Sequence, residues 1–168
     1  DVIKIEPPKV GDQMRNRMLP SKLADIDMAS SFLAMNIGKR SLALDLKDPR
    51  GKEIAFKLIA QADVVLHNFR GGVVDRLGLD FDAVKAVNPT IIYCAVTGFG
   101  NDGPKAKDAA YDGAVQAAAG MMANNGSAES GPTRTGYFPV DMMTGMTAAY
   151  AIAGALFRRE RTGEGQFL

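Results

Sequence analysis

Short apolar runs separated by helix-length segments constrain this 168-residue chain more than any other feature. Residues 41–46 (SLALDL) alternate as a strand, residues 63–66 make a second, short buried strand, and residues 91–96 (IIYCAV) are the most apolar strand of the chain. The segments between them carry helix signals. Asp48-Pro49 is a helix start, with the acid as cap and proline in the first turn. Ile54, Leu58, Ile59 and Ala62 then fall on one face of a helix reaching about residue 61. Residues 73–77 read as a helical turn ended by Gly78, and Asp80 caps a helix over residues 81–87 that Asn88-Pro89 stops. Strands alternating with helices of about a dozen residues fold as α/β: a parallel sheet with helices on both faces.

The ends of the chain extend this pattern. Residues 2–6 (VIKIE) alternate and stop at Pro7-Pro8, a strand with which the chain opens as if cut from a larger protein. Residues 9–38 hold no clean period. Punctuated by Gly11, Pro20 and Gly38, with Met14, Met18, Met28 and Met35 scattered through, they read as an irregular excursion with a helical turn around residues 29–35; so long a loop is usually functional. Residues 111–122 read as a small-residue helix and residues 124–136 as an open polar loop. Residues 133–166 combine a turn-rich approach, one acid, a long small-residue helix and a basic end. Asp141 falls where that helix should begin, a place that favours carboxylates because free N–H groups and the positive end of the dipole stabilise negative charge. No proline interrupts residues 142–161; Arg158, Arg159 and Arg161 load the last turns and Gly163 supplies the stop. Gly145 and Gly154 within the helix predict close approach of another backbone or of a ligand.

Composition narrows the function classes. The length suits one domain, and 46% hydrophobic with 23% charged residues is enough for a packed core. Twenty basic against nineteen acidic side chains give a net charge of +1, without the basic excess of a nucleic-acid binder. No apolar run approaches the ~20 residues of a membrane span, and no signal peptide opens the chain. A single cysteine, Cys94, rules out an internal disulfide and points to a reducing compartment, hence the cytoplasm. The only histidine is His67, so neither a histidine-based metal cluster nor a Ser-His-Asp triad can be assembled, and no metal is expected. Ligands of parallel α/β sheets bind beyond the carboxyl ends of the strands, here the loops 47–50, 68–72 and 97–103. None of these is a G-x-G-x-x-G or G-x-x-x-x-G-K-[ST] nucleotide loop.

Several stretches, in order, resemble one family, the class III coenzyme A-transferases, which include formyl-CoA transferase, carnitine-CoA transferases and α-methylacyl-CoA racemase. They are DVIKIE, NIGKRSLALDLKDPRGKE, ADVVLHNFRGGVVDRLGLDFDAV, NPTIIYCAVTGFGNDGP, AYDGAVQAAAG and GYFPVDMMTG followed by ALFRRERTGEGQ, and they cover nearly the whole chain. The resemblance implies that residues 1–168 are the N-terminal, CoA-binding Rossmann-like part of an incomplete large domain, with a first strand and loop, a small domain and a C-terminal return outside it, and an interlocked homodimer as the assembly. It places the family's nucleophilic aspartate on Asp141. CoA contacts fall on Leu44, Asp45, Leu46 and Lys47, on Asn68, Phe69 and Arg70, on Arg76, and on Ala109, Ala110, Tyr111 and Asp112. Lys47, Arg70 and Arg76 would face the phosphates, where arginine offers paired donors. The sequence departs from the family pattern at Pro7, in place of a CoA-contacting arginine, and at Gly71, in place of a common proline.

The implied activity is transfer of CoA between an acyl-CoA and a small carboxylic acid through an aspartyl covalent intermediate, with no metal, nucleic acid or membrane involved. Two alternatives stand beside it: racemisation or isomerisation next to the thioester, and an inactive CoA-binding fragment. Against racemisation, the family's Gly-His-Asp run is Ala110-Tyr111-Asp112 here, and tyrosine is a poor base at neutral pH. His67 matches no catalytic motif, and Cys94 has no basic neighbour to activate it.

Overall fold

The computed structural model describes residues 1–15, 26 and 28–168, so the middle of the expected excursion, including Met18 and Pro20, lies outside the described residues. The chain forms two compact units, Asp1–Lys57 and Leu58–Leu168.

In the first unit, β1 (Ile3–Glu6) pairs in parallel with β2 (Arg40–Ala43), with Ile3 opposite Arg40 and Glu6 opposite Ala43. A 3₁₀ turn at Gln13–Arg15 and α1 (Ser30–Asn36) lie between them, α1 matching the turn expected around residues 29–35. The expected strand over residues 41–46 ends early, at Ala43, which leaves Leu44, Asp45, Leu46 and Lys47 beyond its carboxyl end. The Asp48 carboxylate accepts the Arg50 N–H at 2.9 Å as α2 (Pro49–Ile59) begins, as Asp-Pro predicts. The centre of this unit is polar. Glu6, 3% exposed, accepts Arg15 Nε at 2.8 Å and Nη2 at 2.9 Å, the Ser41 hydroxyl at 2.8 Å and the Asp12 N–H at 2.8 Å. Arg15 in turn lies 4.0 Å from the ring centroid of buried Phe32. Paired donors from Arg15, foremost, hold the Glu6 carboxyl down at about 2, against the opposing effect of burial.

In the second unit, β3 (Val64–His67), β4 (Ile92–Ala95) and β5 (Gln166–Phe167) form a parallel sheet in the order β3-β4-β5. Between β3 and β4 run α3 (Val73–Leu77) and α4 (Phe81–Val87), with the bounds the sequence predicts. Asp80 caps α4 by accepting the Ala83 N–H at 3.0 Å. Before β5 come α5 (Asp112–Ala118), α6 (Met121–Asn125) and α7 (Pro139–Thr162). Central β4 is the buried strand its apolar run demands: Ile91, Ile92 and Tyr93 are buried with Val84 of α4, and the Tyr93 hydroxyl donates to the Leu79 carbonyl at 2.7 Å. Asn88 ties the end of α4 to the end of α2, donating to the carbonyls of Ile59 and Ala62.

Other expectations change as well. The single helix over residues 111–122 is two, because Gly120 takes φ 76°, a left-handed conformation open to glycine that ends α5. The long helix starts at Pro139, so Asp141 lies in its first turn instead of capping it; Phe138 is the N-cap and supplies no side-chain bond. His67 ends β3 instead of opening the next loop. β5, too short to show any period, is not legible in the sequence. No close approach accounts for Gly145 or Gly154: among the described residues, a side-chain carbon at either would meet nothing within 4 Å.

α7 is long and apolar enough to cross a membrane by length and composition alone, although no continuous apolar run marks it. Its placement is that of a helix on a sheet. Ala155 is buried, and Arg159 donates to Asp63 Oδ1 at 2.7 Å and to the Asp63 carbonyl at 3.3 Å, fastening the last turns just before β3. Gly163, left-handed, closes the helix with its N–H on the Arg159 carbonyl. Met142, Met143, Met146, Tyr150 and Phe157 are exposed.

Candidate active site

Pro139 starts α7 without a donor to satisfy, which suits the first helical position. The next two N–H groups have no cap from the adjacent residue. A carboxylate far upstream supplies it: Asp112 Oδ2 accepts the N–H of Val140 at 2.9 Å and of Asp141 at 3.2 Å. Asp112 opens α5 and is 4% exposed. Its other oxygen accepts Gln116 Nε2 at 2.5 Å, one turn along α5, and Gln116 Oε1 accepts the Thr135 N–H at 3.1 Å. Gln116 is fully buried. This array holds the approach to α7 and its first turn onto α5.

The Asp141 side chain stays exposed above the array. Its carboxyl is pushed up from the ordinary aspartate value, first by partial desolvation and then by the charge of Asp112. An accessible carboxylate less stabilised than usual is suited to act as a nucleophile.

A cleft of about 510 Å³ opens at the carboxyl ends of β3 and β4, the side of the sheet where parallel α/β proteins bind ligands. Phe69, Phe81, Tyr93 and Phe167 give it aromatic walls, and Arg70 is its cation. Asp75, Asp80, Asp82 and Asp102 also line it, an acidic surround unsuited to phosphates. His67 lies among these rings, 5.7 Å from Phe69 and 5.3 Å from Tyr93. Its Nδ1 accepts the Phe69 N–H at 3.2 Å, while its buried Nε2 has no partner among the described residues. Burial pushes its basicity down, so it rests as a neutral strand-end residue. Burial likewise pushes the Cys94 thiol up, as expected of an inert core cysteine.

Leu44 is buried and Asp45 and Lys47 are exposed, with the Asp45 carboxylate accepting the Lys47 N–H at 2.9 Å; these residues belong to the first unit. In the second unit, Asn68, Phe69 and Arg70 leave β3 exposed, and Arg76 is exposed on α3. The cleft gathers Phe69 and Arg70 but not Arg76. Ala109 and Tyr111 are exposed at the entry to α5, whereas Asp112 is turned inward to α7. Gly71, where the family favours proline, leaves no room for a side chain: an added carbon would stand 2.8 Å from the Ala106 carbonyl. Gln116 was outside every sequence-based expectation. An amide inside a run of alanines, QAAAG, is the signal that could have marked it.

Compared with known proteins, residues 1–168 match CoA-transferase family III. The chain is 40% identical over 171 residues to a succinate–glutarate CoA-transferase of Agrobacterium fabrum, covering 100% of this chain and 43% of that protein. It is 41% identical over 166 residues to a formyl-CoA:oxalate CoA-transferase of Streptomyces avermitilis, covering 99% of this chain and 39% of that one. Among solved structures, a CAIB/BAIF family protein from Brucella suis superposes with a TM-score of 0.90 at 40% identity, covering 100% of this chain and 44% of that chain. The protein Rv3272 from Mycobacterium tuberculosis superposes with a TM-score of 0.87 at 35% identity, covering 99% and 46%. The chain thus spans about two fifths of the length of these curated relatives. With a parallel α/β fold and a match along its whole length, it belongs to CoA-transferase family III.

Proposed function

We propose that these residues carry the nucleophile and part of the CoA site of an enzyme that moves CoA between an acyl-CoA and a small carboxylic acid. The observation that carries this reading is Asp141 itself: an exposed carboxylate in the first turn of α7, raised above its ordinary value and held at its backbone by a buried acid. The Asp141 carboxylate attacks the thioester carbonyl, the C–S bond breaks, and CoA thiolate leaves an acyl–aspartyl anhydride. The thiolate then attacks the aspartyl carbonyl, releasing the donor carboxylate and forming an aspartyl-CoA thioester. The acceptor carboxylate attacks that thioester in turn, and the returning thiolate takes the new acyl group and frees Asp141. A carboxylate nucleophile divides one difficult exchange into easier ones.

In the same reading, the CoA contacts that the resemblance implies are Leu44, Asp45, Leu46 and Lys47 after β2, Asn68, Phe69 and Arg70 after β3, Arg76 on α3, and Ala109, Ala110 and Tyr111 before α5. The acidic cleft favours the aromatic walls for an uncharged part of the ligand and leaves the phosphates to cations outside it. We place the enzyme in the cytoplasm, in keeping with a buried free cysteine, and as a homodimer.

The test uses the protein expressed from its complete reading frame, with the donor–acceptor pairs its relatives are named for: succinyl-CoA with glutarate, and formyl-CoA or acetyl-CoA with oxalate. Asp141→Asn should lower transfer by at least about 10³-fold while CoA binding, followed by calorimetry, stays within about 3-fold. Hydroxylamine should trap an aspartyl hydroxamate at residue 141 in the parent alone. Rapid Asp141-dependent uptake of deuterium next to the thioester, with no acceptor acid present, would replace transfer with racemisation.

A further inference from the structure

The array ending at Asp141 has donors fixed at both ends. The Thr135 N–H stands at one end and the N–H groups of Val140 and Asp141 at the other, and a backbone N–H can only donate. Between them the Gln116 amide offers one accepting and one donating end. Thr135 takes the accepting end, so Nε2 must face residue 112. Residue 112 must then accept on both sides, which among side chains of its size only a carboxylate does. An asparagine there would set donor against donor at one junction, whichever way either amide is turned.

We propose that Asp112, closed from behind by Gln116, is a positioning residue for the nucleophile: it fixes the first turn of α7, and with it the Asp141 carboxylate, against α5. This rests on Asp141 being the nucleophile. The cap comes from 28 residues upstream of Val140, not from the neighbouring Phe138, so the start of α7 is registered to another helix instead of to its own approach loop. The same carboxylate is the second cause of the raised Asp141 carboxyl, after desolvation. The arrangement also reassigns Asp112 from a CoA contact to a buried support; the exposed neighbour Tyr111 faces solvent in its place.

The geometry makes a reciprocal test. Asp112→Asn breaks the order of donors and acceptors, and Gln116→Glu breaks it where the new carboxyl is ionised, since two carboxylates then meet, so the variants are compared above the pH at which that pair shares a proton. Together they restore it: the new carboxylate at position 116 accepts from Thr135 and from the new amide at position 112, whose oxygen accepts from α7. In the protein from its complete reading frame, each single variant should lower kcat by about 10- to 100-fold, the scale of a small misplacement of a reacting group. The KM for acyl-CoA should stay within about 3-fold, and kcat is normalised to sites trapped by hydroxylamine. The double variant should recover kcat to within about 5-fold of the parent. Unchanged singles, a rise in KM alone, a loss matched by fewer trapped sites, or a double no better than the singles would each overturn the proposal. If the singles do not fold, the double decides: folded and active supports it, unfolded or inactive sinks it. A parent without Asp141-dependent transfer defeats the functional reading as well, whereas an active parent with unaffected variants defeats only the positioning role.

Discussion

Among the described residues each unit buries one acid, and the two are compensated in opposite ways. Glu6 is met by a guanidinium through two parallel bonds, with Ser41 and the Asp12 amide completing its shell. Asp112 is met by two backbone N–H groups and an amide, all uncharged. Burying a carboxylate is tolerable when its lone pairs are filled, and both shells achieve this. They differ in what they leave over. Around Glu6 the charge is neutralised, and the group is held at about 2. Around Asp112 the negative charge persists and is felt by Asp141. The first arrangement fastens a fold; the second leaves the carboxyl of a neighbouring aspartate raised.

The largest effect expected from breaking this contrast is at Glu6. Its folded value lies below the ordinary one, so its contribution is present above the unfolded value of ~4.3 and is lost as pH falls toward about 2. A shift of this size corresponds to on the order of 3 kcal/mol at neutral pH. Glu6→Gln should therefore destabilise by roughly that amount in urea unfolding at pH 7, with the difference from the parent closing as the pH approaches 2. A constant difference across that range would show that packing, not charge, makes the contribution.

Arg15→Lys sharpens the comparison. It keeps the cation but removes the fork that reaches both Glu6 oxygens and the planar stack on Phe32. The expected cost is about 1–2 kcal/mol, and the Glu6 midpoint followed by NMR should rise from about 2 toward the ordinary range. A cost equal to that of Glu6→Gln would mean that the geometry of the fork, and not the charge, decides the pair.

These two centres were unequally legible. The elements around them follow local rules: Asp48-Pro49 starts α2, Asp80 caps α4, Gly78 and Gly163 stop their helices, and the run at residues 91–96 is the buried strand. Asp141 could be read as an acid at the start of the long helix, and its place in the first turn is close to that. Its support could not be read, because Asp112 and Gln116 reach α7 and its approach across 28 and 19 residues, and single-sequence periodicity carries no information about partners so distant. Asp112 lay among the CoA contacts implied by resemblance, and that placed it near the site while concealing what its carboxylate does. Glu6 was hidden in the same way: VIKIE alternates as a strand, yet alternation cannot say that an acid in it will be buried beneath an arginine nine residues on. β5 and the break at Gly120 depend on packing and on one backbone angle, neither of which has a periodic trace.

The smallest effect runs the other way. Because the Asp141 carboxyl is raised in the folded protein, the folded state binds more protons than the unfolded one between the two values, and stability falls as pH rises through them. Above that window an ionised Asp141 is a slight liability, where Glu6 is an asset. Asp141→Asn should thus raise Tm modestly at pH 7, and the gain should disappear below the ordinary carboxylate value of ~3.9. The side chain is exposed, so solvent screening keeps the gain small. In a background carrying the reciprocal pair Asp112→Asn and Gln116→Glu, the charge stands one residue farther along the array from Asp141, and the gain should shrink without vanishing, since desolvation remains the larger cause. Thermal unfolding of the four proteins across pH separates the two causes. A fall in Tm for Asp141→Asn at pH 7 would show that the carboxylate supports the start of α7 instead of being strained by it, and the contrast between the two buried acids would lose its functional meaning.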